Sequence, residues 1–320
     1  MKSQKISQSR RNFLKKSLIT GSLFPLAHGN FSSLFRTTPV DRLNVHIFSK
    51  HLQFLNYHDM AQVAAEIGFD GIDLTVRPDG HVRPERVETD LPEAIESMRK
   101  VGLAPLLMTT AVLDADNNTD KKVLETAAKL GMQYYRMNYF YYSEEKTIPE
   151  LLEGFQQKIK DLSYLNKELG LTGCYQNHAG NPVGSNIWEL WELLKEADKK
   201  YMGLQYDIRH AVVEGGLSWP NSLRLVQPQI KTLAIKDFMW DKKNGKWNTE
   251  DVPLGEGMVD FNAYFKLLKK YQVNVPVSLH FEYPLGGADK GATKLSCDKQ
   301  VVFDAMKRDL QKVHDLWQQA

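Results

Sequence analysis

The sequence has few of the features that mark a specialised class of protein. Only two of its 320 residues are cysteines, Cys174 and Cys297, which excludes a fold built on a disulfide framework. No uninterrupted apolar run is long enough to span a bilayer, so we expect no stable membrane insertion. Lysines and arginines are scattered and the formal net charge is only +2, so nothing indicates nucleic-acid binding.

The amino-terminal segment resembles an export signal. Residues 9–16 read Ser-Arg-Arg-Asn-Phe-Leu-Lys-Lys, a twin-arginine pattern, and a modest apolar stretch follows at 17–27. Such a signal sends folded proteins out of the cytoplasm. The alternative is a basic tail in which the arginine pair arose by chance. We therefore predict a twin-arginine signal peptide and linker at 1–38, a periplasmic location, and one domain at 39–320.

A short pattern recurs through the remaining chain. Each copy has a branched aliphatic residue, a glycine and an apolar residue, and glycine just past a helix ends it by adopting the left-handed conformation. The copies lie at 66–69, 100–103, 129–132 and 168–171, with a looser one at 201–204. Their spacing of roughly 30 residues is the length of one strand–helix unit. Each copy therefore predicts a joint between a helix and the next strand.

Eight short apolar segments alternate with segments of helical period. We predict strands at 43–48, 71–75, 104–108, 133–137, 172–176, 204–207, 232–237 and 276–282. Strict alternation of strand and helix indicates a parallel sheet. Eight such units predict an α/β fold, the (β/α)8 TIM barrel, whose usual size is about 250 residues. An open doubly wound sheet is the rival, but no glycine-rich phosphate-binding motif follows the first strand.

Polar residues collect near the predicted strand ends, where TIM barrels carry their active sites. Phasing the strands with aliphatic residues outward places these residues in the barrel or at its mouth: His46, Asp73, Arg77, Asn138, Gln176, His178, Asp207, His210, Lys236, Asp237, His280 and Glu282. So many charges in one place predict a functional site. The alternatives are ion pairs that close the barrel and, for Asp207, a cap on the next turn with His210 at the surface.

Several of these residues fall in motifs that resemble the xylose isomerase-like sugar isomerase and epimerase family. That family includes inosose dehydratases and, more distantly, an endonuclease branch. The motifs are Gln-Asn-His at 176–178, Asp-x-x-His at 207–210, Lys-Asp at 236–237, Glu282, and Gly-Glu-Gly at 255–257. The resemblance covers about 43–317 and implies the same barrel. A glutamate and a histidine would be expected where this chain has Gln176 and Ala234.

The resemblance also implies a divalent metal, Mn²⁺, Mg²⁺ or Zn²⁺, with Asp207, Glu282 and Gln176 as its ligands. A carboxamide is a neutral oxygen ligand and alanine is no ligand, so the site is incomplete relative to the family. Alternatively, the Lys236 ammonium replaces the charge of the metal and polarises a carbonyl.

The function that the resemblance implies is isomerisation or epimerisation of a free or keto sugar by proton transfer next to a carbonyl. Glu282 or His178 would remove the proton, and His210 or Lys236 would supply one. The expected substrate contacts are His46, Asp73, Arg77, Asn138, Asp237, Trp240, Glu256 and His280.

Two other functions remain open: a keto-sugar dehydratase or lyase of the same fold, and a sugar-binding barrel without catalysis. The endonuclease branch is disfavoured because the chain shows no basic groove. The expected partner is a small carbohydrate, and because relatives are often dimers or tetramers, a homo-oligomer is compatible with the resemblance.

Overall fold

Short apolar segments form a closed barrel of eight parallel strands in the computed structural model, which describes residues 42–320. The barrel strands are β1 (Val45–Phe48), β2 (Gly71–Val76), β3 (Ala104–Thr110), β4 (Tyr134–Arg136), β5 (Thr172–Gln176), β6 (Met202–Asp207), β7 (Ile230–Ile235) and β10 (Val277–Leu279). They follow chain order around the barrel, and β10 closes it against β1. The (β/α)8 TIM barrel prediction is confirmed. The predicted signal peptide at 1–38 lies outside the described residues.

Helices lie between successive barrel strands, as their periodicity predicted. They are α1 (Tyr57–Ile67), α2 (Val87–Lys100), α3 (Asn118–Lys129), α4 (Ile148–Leu169), α5 (Ile187–Leu193), α6 (Ile208–Gly215), α7 (Trp219–Val226), α8 (Phe261–Lys270) and α9 (Lys299–Gln319). Outward-facing strand residues such as Leu204, Leu233 and Val277 are fully buried in one apolar cluster with them. Burying each such side chain contributes about 1.5–3 kcal/mol. No described helix could cross a membrane.

The glycine joints are confirmed at four of the five copies. Gly68 follows α1 with a φ of 106° and Gly170 follows α4 with a φ of 72°, a region that strains any residue with a side chain. The looser copy is wrong as a joint, because Gly203 lies inside β6. Its small size has another cause, which is the close approach of a neighbouring backbone.

A hairpin that the sequence analysis missed follows β7. Its antiparallel strands are β8 (Asp237–Lys243) and β9 (Lys246–Val252), which form a sheet of two strands outside the barrel. Asn244 and Gly245 make the turn with φ values of 52° and 78°. Asn-Gly is the strongest short-range signal for such a turn, so the hairpin was predictable.

The last barrel strand is shorter than predicted, so His280 and Glu282 lie beyond it in an irregular segment. His51 fixes this segment: its Nε2 accepts the Phe281 N–H at 3.0 Å, and its Nδ1 donates to the Ala288 carbonyl at 3.1 Å. Burial lowers the pKa of His51 to about 3, which keeps the imidazole neutral and able to accept. The backbone that carries Glu282 is therefore held by hydrogen bonds rather than by a sheet.

Gly203→Ala is expected to destabilise the protein by about 1–3 kcal/mol through overpacking. A Cβ at this position would lie 2.3 Å from the Gln229 carbonyl oxygen, a backbone atom that cannot move without disturbing the pairing of β6 with β7. Gly154→Ala is the control, because an added Cβ there meets nothing within 4 Å, and it should stabilise α4 by about 0.5–1 kcal/mol. Urea unfolding measures the change in stability of both variants. Similar changes in the two would contradict a close contact between Gly203 and the Gln229 carbonyl.

Candidate active site

A buried lysine lies between two carboxylates at the mouth of the barrel. Lys236, the residue between β7 and β8, places Nζ 2.9 Å from Glu282 Oε2 and 3.5 Å from Asp207 Oδ2. Asp207 is completely buried and Lys236 is 4% exposed, so solvent screens these interactions weakly. Burial alone would lower the pKa of Lys236, but Glu282 and Asp207 raise it above its ordinary value. The side chain is therefore a permanent ammonium.

Glu282 is the most exposed of the three residues in this cluster. Its side chain is 22% exposed, and its second oxygen, Oε1, accepts a hydrogen bond from Lys50 Nζ at 3.2 Å. Burial would raise the pKa of Glu282, but Lys236, His280 and Lys50 together hold it well below the usual range. Glu282 is thus an ionised carboxylate between two ammonium groups. Lys50 was missed by the sequence analysis, although it lies just past the end of β1.

Asp207 uses its two oxygens for different purposes. Oδ1 accepts the His210 N–H at 3.1 Å and caps α6, as the capping alternative predicted, but His210 is 2% exposed and not at the surface as that alternative also required. Oδ2 accepts from Gln176 Nε2 at 2.8 Å and faces Lys236. Burial raises the pKa of Asp207 in spite of the opposing charge of Lys236. Both oxygens are enclosed by protein, so Asp207 supports the ammonium rather than contacting a ligand.

Gln176 is oriented by a neighbouring cation. Its carboxamide oxygen accepts from Arg136 at 2.8 Å and from the Tyr139 hydroxyl, while its nitrogen donates to Asp207. The reverse orientation would turn the amide N–H groups toward a guanidinium, which has only donors. The oxygen of Gln176 therefore cannot join Asp207 as a metal ligand.

These contacts do not fit a resident divalent ion. The Lys236 ammonium fills the space between Asp207 and Glu282, and position 234 is an alanine buried in the barrel. Within residues 42–320, no group of three His, Cys, Asp or Glu side chains is arranged to hold a metal. The predicted ligand set of Asp207, Glu282 and Gln176 is not assembled, and the positive charge at this point belongs to lysine.

His178 is the imidazole that faces the open side of the site. It is partly exposed, and its Nδ1 donates to the Ala179 carbonyl at 2.9 Å, which leaves Nε2 as an acceptor. Burial and the nearby Lys236 charge lower the pKa of His178 to about 4. Tyr139 packs against its edge, with ring centroids 5.2 Å apart. His178 is thus a neutral group whose Nε2 can take up a proton.

His210 is enclosed beneath His178, with ring centroids 4.0 Å apart. Arg209 donates to its Nδ1 at 3.1 Å, so the ring proton resides on Nε2, 3.6 Å from Asp207 Oδ2. Burial holds the pKa of His210 well below its ordinary value. Both ring nitrogens face protein groups, which suits the positioning of Asp207 better than the predicted proton transfer to substrate.

The hairpin contributes to the site through an ion pair that was not predicted. Asp251 on β9 binds Arg209 with two contacts of 3.0 Å, and the Arg209 guanidinium lies 5.1 Å from the ring centre of Phe238. Arg209 is 7% exposed. No sequence pattern signals this pair, because it joins α6 to a hairpin that was not predicted.

Two predicted substrate contacts lie below the mouth instead of lining it. His46 is completely buried and packs so closely on Gly71 that a Cβ there would lie 2.3 Å from the imidazole. Asp73 is 1% exposed, and its carboxylate accepts the hydroxyls of Thr109 and Ser278. Both side chains point inward as predicted, but their complete or nearly complete burial does not suit the substrate contact expected of them.

Two further predicted contacts belong to the loop after the hairpin. The Asp237 carboxylate accepts four backbone N–H groups, from Phe238, Gly255, Gly257 and Val259. It is 2% exposed and holds the loop closed, so it has no oxygen to offer a ligand. Glu256 is exposed on the same loop and borders a surface cavity with Arg308 and Lys312 of α9, away from Lys236.

The remaining predicted contacts surround the mouth. The Arg77 guanidinium lies 5.6 Å from the ring centre of Phe48, and His280 stacks on the same ring at 4.3 Å. Asn138 is partly buried just beyond β4. Trp240, 42% exposed, is carried by the hairpin. The barrel mouth therefore combines the aromatic ring of Phe48 with polar groups that follow several strands.

The barrel and its polar mouth agree with a match to known proteins. The Xylose isomerase-like TIM barrel family matches residues 61–296, more than half of the chain. The chain belongs to this family. No curated protein matches it.

Three solved structures illustrate the likeness. IOLI protein with a bound zinc atom has a TM-score of 0.69 at 18% identity, over 86% of this chain and 99% of that one. D-psicose 3-epimerase from Clostridium cellulolyticum H10, solved with D-tagatose, has a TM-score of 0.64 at 13% identity, over 86% and 99%. The probable 3-DHS dehydratase AsbF from Bacillus anthracis has 0.62 at 15%, over 84% and 98%. At these identities the likeness establishes the fold.

Asp237→Ala is expected to destabilise the xylose isomerase-like barrel by about 2–4 kcal/mol. The substitution removes the carboxylate that accepts several backbone N–H groups and leaves them without an acceptor. The measurement is the free energy of unfolding in urea. Asp241→Ala on the same strand is the control and should change stability by less than about 0.5 kcal/mol, because Asp241 is 45% exposed beside Lys243. If Asp237→Ala left the free energy of unfolding unchanged, the oxygens of Asp237 would instead be free for a ligand.

Proposed function

We propose that this chain is an enzyme that moves a proton on a carbon next to the carbonyl of a free or keto sugar, as an isomerase or epimerase. The observation that carries the proposal is the Lys236 ammonium held between Asp207 and Glu282 at the barrel mouth. Membership of the family and the likeness to a sugar 3-epimerase support a sugar substrate.

Lys236 supplies the electrostatic part of the reaction. Removing a proton next to a carbonyl moves negative charge onto the carbonyl oxygen, and a fixed ammonium stabilises that charge. An ammonium has three N–H donors. Contacts with Glu282 and Asp207 account for two of them, which leaves the third for the substrate oxygen. Because the two carboxylates raise its pKa, Lys236 stays charged and is a hydrogen-bond donor, not an amine nucleophile.

Glu282 and His178 are the groups that exchange the proton. Both are partly exposed, and both present an acceptor at neutral pH: an ionised carboxylate and the bare Nε2 of an imidazole. Their low pKa values make them weak bases, so the reaction depends on Lys236 to acidify the carbon. Isomerisation needs only one of them, because Glu282 can take the proton from one carbon and, as the acid so formed, return it to the next. Epimerisation returns the proton to the opposite face, which His178 can do only after its Nε2 has taken up a proton from solvent.

Elimination is the second candidate, supported by the likeness to a probable dehydratase. A lyase would begin with the same proton removal but also needs an acid to protonate the departing hydroxyl. His178, with its pKa lowered to about 4, is a poor acid at neutral pH. The charges therefore favour isomerisation. A binding protein without catalysis would have no use for a buried ammonium between two carboxylates.

Glu282→Gln is expected to lower proton exchange at least about 100-fold, because it removes the carboxylate that accepts the proton. The measurement is deuterium incorporation from heavy water into a panel of aldoses and ketoses, followed by NMR. Glu256→Gln is the matched control and should leave the rate unchanged, since Glu256 lies on the outer loop.

The same assay separates the alternatives. Exchange with loss of water or an aglycone would indicate a lyase, and no exchange across the panel would indicate a binding protein. Exchange should persist after dialysis against EDTA. If it instead required added Mn²⁺, Mg²⁺ or Zn²⁺, the role given to Lys236 would be wrong.

We also propose that the chain is exported to the periplasm by its twin-arginine segment. Replacing Arg10 and Arg11 by lysine in the full-length chain should retain the precursor in the cytoplasm of a bacterial host, because the pathway reads the arginine pair. Cell fractionation measures this, with Lys15→Gln and Lys16→Gln as the control. An unchanged amount of periplasmic protein in the arginine variant would refute export by this route.

The homo-oligomer remains a prediction.

A further inference from the structure

Two arginines at the barrel mouth, Arg77 and Arg136, make no direct ion pair with a carboxylate of the described residues, although Asp73 attracts both from farther away. Arg136 donates to the Gln176 oxygen at 2.8 Å and to the Tyr139 hydroxyl at 3.1 Å, which are both neutral groups. The Arg77 guanidinium lies over the Phe48 ring. In the part of the chain that the structure describes, no carboxylate lies within 4.0 Å of either guanidinium. Partly buried guanidinium groups usually have anionic partners, because desolvating a lone charge is costly.

The two guanidinium groups also act on each other. Burial lowers the pKa of Arg77, and the positive charge of Arg136 is the next cause. Asp73 and Glu282 oppose this effect, but like charges near each other in a partly buried site still favour an added negative group between them. The arrangement is therefore incomplete as it stands.

The nearby carboxylates are already committed to other groups. Asp73 receives the hydroxyls of Thr109 and Ser278, and burial raises its pKa in spite of these bonds and of the charges of Arg136 and Arg77. Glu282 binds Lys236 and Lys50. Asp207 is enclosed by Gln176 and α6. Besides the Arg209–Asp251 pair, the described residues at and just below the mouth thus include four cations, Lys50, Arg77, Arg136 and Lys236, and three carboxylates, Asp73, Asp207 and Glu282.

We propose that the substrate carries an oxyanion group, a carboxylate or a phosphate, which binds at Arg77 and Arg136. The substrate would then be a sugar acid or a sugar phosphate, and this inference rests on the proposed function. A guanidinium presents a planar fork of donors that matches both groups and is often bidentate. Gln176 links this subsite to the reaction centre, because it accepts from Arg136 and donates to Asp207.

The test compares matched probes by isothermal titration calorimetry at low ionic strength, where charge contributes most. The pairs are D-glucuronate with D-glucose, D-galacturonate with D-galactose, and D-glucose 6-phosphate with D-glucose. At least one oxyanion should bind about tenfold or more tightly than its neutral partner. Its identity, carboxylate or phosphate, distinguishes the two sources.

Arg77→Gln should weaken that binding roughly 10- to 100-fold, the loss expected for hydrogen bonds to a charged group. The affinity of Arg77→Lys for the oxyanion should lie between those of the unchanged protein and Arg77→Gln, because an ammonium keeps the charge but lacks the planar pair of donors. Arg83→Gln is the matched control: Arg83 is exposed shortly after the same loop and should leave affinity unchanged. Circular dichroism confirms that each variant is folded.

Different results would refute the oxyanion subsite and the proposed reaction. Neutral sugars that bind as tightly as the oxyanions, oxyanions that do not bind, or unchanged affinity in Arg77→Gln would each overturn the subsite, even if neutral sugars exchange deuterium. Conversely, oxyanions that bind through Arg77 without any deuterium exchange would support the subsite and refute the reaction.

Discussion

The buried ammonium of Lys236 is the constraint on which the mouth of the barrel depends. A cation removed from water costs several kcal/mol unless it is paired, and here two carboxylates from different strands share that task. Each carboxylate then needs further donors, which come from Gln176, the first turn of α6 and Lys50. One charge is thus tied to side chains on β5 and β6 and to side chains just beyond β1 and β10.

Much of the fold follows from short-range signals in the sequence. Glycines at helix ends and eight apolar segments were sufficient for the barrel, because backbone conformation and burial act locally. Gly203 misled the analysis because its requirement is a contact with Gln229, which lies on a neighbouring segment and leaves no local trace. The hairpin was missed although Asn244-Gly245 signals it, because its strands are rich in charged residues and do not alternate clearly.

The site was predicted less completely than the fold, for a geometric reason. Alternation along a strand tells which face a side chain occupies but not its depth, so His46 and Asp73 were placed inside correctly and at the mouth incorrectly. Nor does alternation reveal which atoms are already engaged. Asp237 directly follows Lys236 in sequence, yet its oxygens are used entirely by backbone N–H groups. Lys50 could have been found by reading two residues past the end of β1, as was done for His178 past β5.

The junction between barrel and hairpin has a mechanical consequence. Lys236 is the single residue between β7 and β8, so its backbone is flanked on one side by the parallel barrel sheet and on the other by an antiparallel ribbon. Asp251 and Arg209 join that ribbon to the barrel a second time. A bulky molecule that pushed the ribbon aside would strain both attachments and displace the ammonium with it. The double attachment therefore limits how far the ribbon can move away from the barrel mouth without disturbing Lys236.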